Sequence, residues 1–285
     1  MKKIVLMPNP TKDLGLLVTK NLASKLIDLG GEVYIDEKHE MPESDGVIRY
    51  KSFPEGAELI IVVGGDGSIL DASVTAIERD IPILGVNLGK VGYLTEAEPD
   101  NLALFDKLVA GEYTVESKLL LVTEHKRADG TRSCSERLAV NDVVISQDGY
   151  FGIATFKVEN SRGEAVNYRG NGIIIATPVG STAYSLSAGG PIIAHNLDSI
   201  TVTPVCPHSF FNRSIVYEPS EQIRILNTGE MSLNISIDGR SFEVMEPLDE
   251  CRIYSSSHKL KMITFKTNNM FSALFDKIRS IENNS

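Results

Sequence analysis

The stretch IIVVGGDGSILDAS, residues 60–73, decides how the first part of the chain is read. Ile60 to Val63 is a short β-branched run of the kind that fills a buried strand, and Ile69 to Ala76 begins a helix. At the join, Gly64, Gly65 and Gly67 let the backbone take positive φ and let a ligand come close to the chain. A helix beginning near Ser68 points free N–H groups back at the turn, a geometry that binds anions. One carboxylate, Asp66, sits inside it. Beside bound phosphates a carboxylate is electrostatically unfavourable unless it holds a metal or takes up a proton, so Asp66 is a candidate for one of those roles. The plainer reading is a tight strand-to-helix turn, with Ser68 and Asp71 as an S-x-x-D capping box, and Asp71 is assigned to that cap. The turn is not a Walker loop: G-x-x-x-x-G-K-[ST] is absent, and no lysine is available there to neutralise phosphates.

Working outward, strand-like and helix-like segments alternate: Ile4 to Met7, Leu14 to Leu29, Glu32 to Ile35, then Leu59 to Val63, Pro82 to Asn87 and a helix over Pro99 to Ala110. This alternation predicts an α/β domain built on a parallel sheet. Residues 40–57, polar and punctuated by Pro and Gly, read as a surface loop. From about Lys118 the chain turns to short strands separated by turn signals: LLLVTE, LAVNDVVIS, FKVE, GIIIAT, ITVTPV, QIRIL and NISID. They predict a mostly β second domain. Asn269 to Ile281 has apolar residues at helical spacing and reads as an amphipathic helix.

Composition narrows the class of partner. The 285 residues, 42% hydrophobic and 23% charged, suffice for two cores. A formal charge of −10 argues against nucleic acid or an anionic membrane, both of which select a basic face, and favours small-molecule ligands. MKKIVLMPNP is too short in apolar residues for a signal-peptide core and reads as the first strand of a cytoplasmic protein. Cys134, Cys206 and Cys251 are widely spaced and odd in number, as expected of reduced thiols.

Three further segments carry candidate chemistry. NLGKVGYLTE, residues 87–96, is a second glycine-punctuated turn after a strand. Asn141 and Asp142 form a polar pair within the apolar LAVNDVVIS, which is either a turn between two strands or a site for ligand hydroxyls. The most informative is RGNGIIIATPVGSTAYSLSAGGP, residues 169–191, where a strand runs into a turn and a short helix rich in hydroxyls beside Tyr184.

Taken in order and at their spacings, GGDG at 64–67, GVNLGKVGYLTE at 85–96, AVNDVVIS at 139–146, ATPVGSTAYSLSAGGP at 176–191 and TPVCPHSFFNR at 203–213 resemble the NAD kinase family. The GGDG turn alone is shared with diacylglycerol, sphingosine and phosphofructokinases; the serine, threonine and tyrosine motif after TP is what distinguishes the NAD kinases. The resemblance implies phosphorylation of the 2′-hydroxyl on the adenosine ribose of NAD, with ATP or polyphosphate as donor and Mg²⁺ or another divalent metal. It also implies a homo-oligomer, dimer or tetramer. The implied architecture is an α/β domain over 1–117 completed by 252–285, and a β-sandwich dinucleotide-binding domain over 118–251. Asp66 is the implied catalytic base. Gly65, Gly67, Asn141, Asp142, Arg169, Asn171, Thr182, Ala183, Tyr184 and Ser187 are the implied nucleotide-binding residues. His208 matches the family's PHS motif, or is structural. Three positions depart from the pattern: Ser68 stands where threonine is common and keeps the hydroxyl, Val179 where a threonine or serine is common, and Asn171 where the family has aspartate. A non-catalytic dinucleotide sensor, or a kinase for another hydroxyl substrate such as a lipid, are the alternative readings.

Overall fold

The computed structural model describes residues 2–42, 44–89, 92–132, 137–147, 152–208 and 211–265. The chain divides into two compact units, one of residues 1–117 with 260–285 and the other of 118–259.

The first unit is an α/β layer structure. Its elements are β1 (Lys3–Pro8), α1 (Leu17–Asp28), β2 (Glu32–Asp36), β3 (Ile48–Tyr50), β4 (Leu59–Gly64), α2 (Asp66–Arg79), β5 (Ile83–Asn87) and α3 (Leu102–Ala110). The strands lie in the order β5-β4-β1-β2-β3 and pair in parallel throughout. Every residue of β4 and β5 is buried, as their unbroken apolar runs require of strands covered on both faces. The helices α1 and α3 close one face over Ile4, Leu6, Leu26, Ile61, Leu84 and Phe105. On the other face Ile69 of α2 lies against Gly85 of β5.

The order of these strands fixes where a ligand can enter. From β1 the chain crosses through α1 to β2, and from β4 it crosses through α2 to β5, in the opposite direction. The carboxyl ends of β1 and β4 therefore form the topological switch point, where open α/β sheets have their binding crevice. The turn after Gly64 lies there.

The second unit packs two antiparallel sheets. Its strands are β6 (Thr114–Lys126, beginning in the first unit), β7 (Arg137–Ala139), β8 (Asp142–Gln147), β9 (Ala154–Glu159), β10 (Ala165–Gly170), β11 (Gly172–Ala176), β12 (Ile200–Val205), β13 (Ile215–Tyr217), β14 (Gln222–Asn227), β15 (Leu233–Ile237), β16 (Arg240–Met245) and β17 (Glu250–Thr264). A short helix, α4 (Tyr184–Ser187), follows β11. One sheet runs β13-β12-β11-β8-β15-β16; in the other, β10-β9-β14-β17 is joined by β6 and β7. A core of Leu121, Ile145, Phe156, Tyr168, Ile173, Ile225, Ile235 and Ile253 fills the space between them, which makes a sandwich.

Several sequence expectations need correcting. Residues 40–57 are not all loop, because Ile48–Tyr50 adds β3 to the parallel sheet beside β2. The segment LAVNDVVIS is not one strand but two, with Asn141 at the bend between β7 and β8, which bears out the turn held open for it. The return to the first unit comes at Leu260 and not at 252, because Glu250–Thr264 is a single strand: its first part pairs with β14 and its Met262 with Ile83 of β5. The helix expected over Asn269 to Ile281 lies outside the described residues.

Candidate active site

The helix α2 begins at Asp66, with Gly65 as its N-cap in extended conformation (φ −140°), and not near Ser68. Gly64, Gly65 and Gly67 are absent from the residues with positive φ, so the left-handed conformation anticipated for them is not what selects glycine. Space is. A Cβ on Gly64 would collide with the Ser68 side chain, while beside Gly67 nothing lies within 4 Å. The S-x-x-D capping box does not form either. Ser68 is inside the first turn and its Oγ accepts a hydrogen bond from Asn9 Nδ2 at 2.8 Å.

Asp66 is held by the second glycine turn. Its Oδ2 accepts the backbone N–H of Tyr93 and its Oδ1 that of Leu94, both at 3.0 Å. Gly92 makes this approach possible, since a Cβ there would lie 2.5 Å from Asp66 Oδ1 and 2.7 Å from Thr95 Oγ1. The turn is anchored to the strand ends by Leu88 N donating to Gly64 O at 2.6 Å and Asn87 N to Ala97 O at 2.8 Å. Burial, with the Asp66 charge second, pushes the Tyr93 phenol above its ordinary range. The two glycine-rich segments that stood out in the sequence thus form one constellation around one carboxylate. Lys90 lies outside the described residues.

A neighbouring loop brings in what the sequence did not reveal. The parallel pairing of β1 with β4 sets their two following loops side by side, and Asn9 N donates to Val63 O at 2.8 Å. A Cβ on Gly65 would then meet Lys12 Nζ at 2.5 Å. The turn's own sequence offers no lysine, and the structure brings one beside Gly65 from another strand's loop, which local sequence cannot show.

In the second unit, Asn141 and Asp142 are fixed from both sides. Asp238 accepts the backbone N–H of Val140, Asn141 and Asp142 at 2.9, 2.7 and 3.1 Å. Asn141 O accepts Thr177 N at 2.9 Å, and it packs so closely on Gly180 that no side chain fits at that position. Asp142 is 4% exposed; burial, with Asp238 as the lesser cause, pushes its carboxyl up to about 7. Sequence reasoning passed over Asp238, and the turn IDGR at 237–240 was the available signal.

The hydroxyl-rich segment divides by role. Ser181 is buried and donates to Pro178 O at 2.6 Å, and Thr182 Oγ1 donates to Val179 O at 3.0 Å. These hydroxyls shape the turn. Val179, at a position where the family has a hydroxyl, is buried at 3% exposure. Tyr184 and Ser187 are exposed on α4, three residues apart on one helical face, and Ala183 precedes them at the N-cap. Arg169 and Asn171 lie at the corner from β10 to β11, which is sewn to the end of β12 by Asn171 N donating to Val205 O at 3.0 Å and His208 N to Arg169 O at 2.7 Å. His208 is itself exposed. Gly65, Asp66 and Gly67 thus belong to the first unit, and the remaining candidates to the second.

Among the described residues no cluster of three His, Cys, Asp or Glu side chains is placed to hold a metal ion. Mg²⁺ is commonly held by one or two carboxylates together with substrate phosphates, and such a set suits the single carboxylate of Asp66. No helix among the described residues is long and apolar enough to cross a membrane.

The model of the ATP-NAD kinase N-terminal domain matches residues 17–113, and that of the ATP-NAD kinase C-terminal domain matches 140–265. A curated NAD kinase from Caldanaerobacter subterraneus subsp. tengcongensis is 35% identical over 289 residues, covering 98% of this chain and 99% of its own. Among solved structures, an NAD kinase from Archaeoglobus fulgidus in complex with ATP superposes with a TM-score of 0.75 at 26% identity, covering 98% of this chain and 99% of the other. The yeast NADH kinase complexed with NADH shares the fold, with a TM-score of 0.79 at 20% identity, over 98% of this chain and 88% of the other. Likeness of this extent runs through both units and is not confined to one shared domain, so the chain belongs to the NAD kinase family.

Proposed function

We propose that the chain phosphorylates the 2′-hydroxyl on the adenosine ribose of NAD to give NADP, with ATP or polyphosphate as donor. The observation that carries this reading is the Asp66 carboxylate, set at the switch point of a parallel sheet and oriented by two backbone N–H groups from a separate turn. As the ribose oxygen bonds to the donor's terminal phosphorus, Asp66 accepts the hydroxyl proton. The bond from that phosphorus to its bridging oxygen breaks, and ADP or shortened polyphosphate leaves. Phosphoryl transfer asks a protein mainly for alignment and charge neutralisation, so the value of Asp66 is positional. Each of its oxygens spends one lone pair on a backbone amide and keeps another for the incoming hydroxyl. A divalent ion, held by Asp66 and the donor phosphates, would neutralise charge that builds on the transferring group.

The second unit holds the dinucleotide. Asn141 and Asp142 are positioned by Asp238 and the 177–182 turn, and Asp142 reaches ribose hydroxyls. Thr182 has already donated its proton to Val179 O, so toward a ligand it accepts. Ala183, Tyr184 and Ser187 line the same pocket, with Arg169 and Asn171 completing it; Gly65 and Gly67 receive phosphates. The protein works in the cytoplasm as a homodimer or homotetramer.

The test is formation of NADP from NAD, ATP and Mg²⁺, read with an NADP-specific dehydrogenase. Asp66→Asn keeps the shape and removes the base, so kcat falls roughly 10²-fold or more while NAD affinity stays within a few-fold. A variant retaining full kcat would demote Asp66 to a turn residue.

A further inference from the structure

The loop after β1, Asn9–Asp13, is tied down at both ends. Asn9 bonds to Val63 O and to Ser68 Oγ, each at 2.8 Å, and its own carbonyl receives the N–H groups of Lys12 at 3.0 Å and Asp13 at 2.9 Å. Its Oδ1 takes Thr11 N at 3.0 Å and Thr11 Oγ1 at 2.7 Å. Asp13, 2% exposed, accepts Val18 N, Thr19 N and Thr19 Oγ1 at 3.0, 2.8 and 2.5 Å, which anchors the loop to the start of α1. The backbone of Lys12 is thus fixed between two anchors, and its ammonium falls into the space that Gly65 leaves by having no side chain. Lys12 is exposed and forms no ion pair with any described residue. The net charge of the protein is −10.

An unpaired cation held over a helix N-terminus, one residue from the catalytic carboxylate, calls for an anion. Asn9, Pro10 and Ser68 also border a cavity of about 560 Å³ whose other walls include Asp36, Tyr50 and Phe53. That volume is in the range of small-molecule sites. A donor bringing three or more phosphates beside Asp66 needs positive charge that the glycine turn cannot supply from its own sequence. Lysine suits the task as a compact point charge that follows phosphates as they shift.

Resting on the kinase reading above, we propose that Lys12 binds the donor: its ammonium holds the terminal phosphates of ATP against residues 65–68. The fixed backbone of the loop delivers the charge, and the flexible side chain lets it adjust.

Three readouts test this: steady-state kinetics, equilibrium binding of ATP with Mg²⁺ in the absence of NAD, and the salt dependence of both. For Lys12→Ala, the KM and Kd for ATP rise about tenfold or more, KM for NAD stays within about twofold, and the salt dependence flattens. Lys12→Arg keeps most of the affinity. Thermal unfolding stays within a few degrees of the wild type, because the side chain is exposed. An active wild type with an unchanged ATP KM and Kd in Lys12→Ala overturns the proposal and leaves the kinase reading intact. A wild type that makes no NADP under any donor overturns the kinase reading, and Lys12 stands or falls on the ATP-binding arm.

Discussion

Asp142, buried at the start of β8, and Asp238, half-buried in the turn between β15 and β16, are neighbouring carboxylates whose environments differ. Asp238 has three backbone N–H groups to oppose its burial, although burial still raises its carboxyl. For Asp142, burial and the neighbouring Asp238 charge both raise, to about 7 from an ordinary 3.8. A folded-state value above the unfolded one means that the protonated form favours folding. Its stabilisation is complete below pH ~4 and is lost as pH climbs through 7. The difference in proton affinity sets a ceiling of about 4 kcal/mol. In the ligand-free protein, Asp142→Asn should therefore match the wild type at pH 4 and exceed it in stability at pH 8. Denaturant melts across that range provide the check, and equal stability at pH 8 would mean that Asp142 is ionised at little cost. The same substitution should weaken NAD binding, which separates what this residue does for the fold from what it does for the substrate.

At the scale of elements, the site depends on one turn meeting one helix start. Gly92→Ala puts a methyl group 2.5 Å from Asp66 Oδ1 and 2.7 Å from Thr95 Oγ1, and the turn must yield. A displacement of the order of 1 Å can cost about 10²-fold in rate. The expectation is a kcat lowered at least tenfold, with KM for NAD nearly unchanged and little loss of melting temperature. Kinetics alongside a thermal melt would separate this from simple misfolding. The elements were legible where their cause is local. The continuous apolar runs of β4 and β5 and the period of α1 lie in the sequence itself, and so does the turn at Gly64–Ser68. What was hidden depends on partners distant in the chain. The short edge strand β3 exists through its pairing with Tyr34 to Asp36, in a segment whose prolines and glycines suggest only loop. The Ser68–Asp71 cap does not form because the helix starts earlier, at Asp66 with Gly65 as N-cap, which leaves Ser68 inside the first turn. Lys12 was invisible because only the β1–β4 pairing brings residue 12 to residue 65. The polar pair at 141–142 announced itself correctly as unusual, but its partner Asp238 is far along the chain.

For the whole molecule, the decisive feature is the long last strand. Met262 pairs with Ile83, Ile263 is 2% exposed in the core of the first unit, and Glu96 Oε1 accepts Phe265 N at 2.8 Å and Thr264 Oγ1 at 3.1 Å. Burying Ile263 alone stabilises by about 1.5–3 kcal/mol. A variant ending at Lys259 should lose these contacts, leaving the edge of β5 unpaired and the first unit open. Limited proteolysis should then cut residues 1–117 well before 118–259. If both regions resist equally, the first unit stands without the returning segment. The two-domain organisation was legible in the change of texture near Lys118, while the strand that joins the units was not, because ECRIYSSSHKLKMIT mixes serines and charges into a run that only its neighbours make a strand. That strand also sets an order of events during synthesis. A ribosome emits Ile83 179 residues before Met262, its partner in β17 (262 − 83). The sandwich can therefore finish while the catalytic sheet still waits with a bare edge. Through that interval Asp66 stands on a half-built platform.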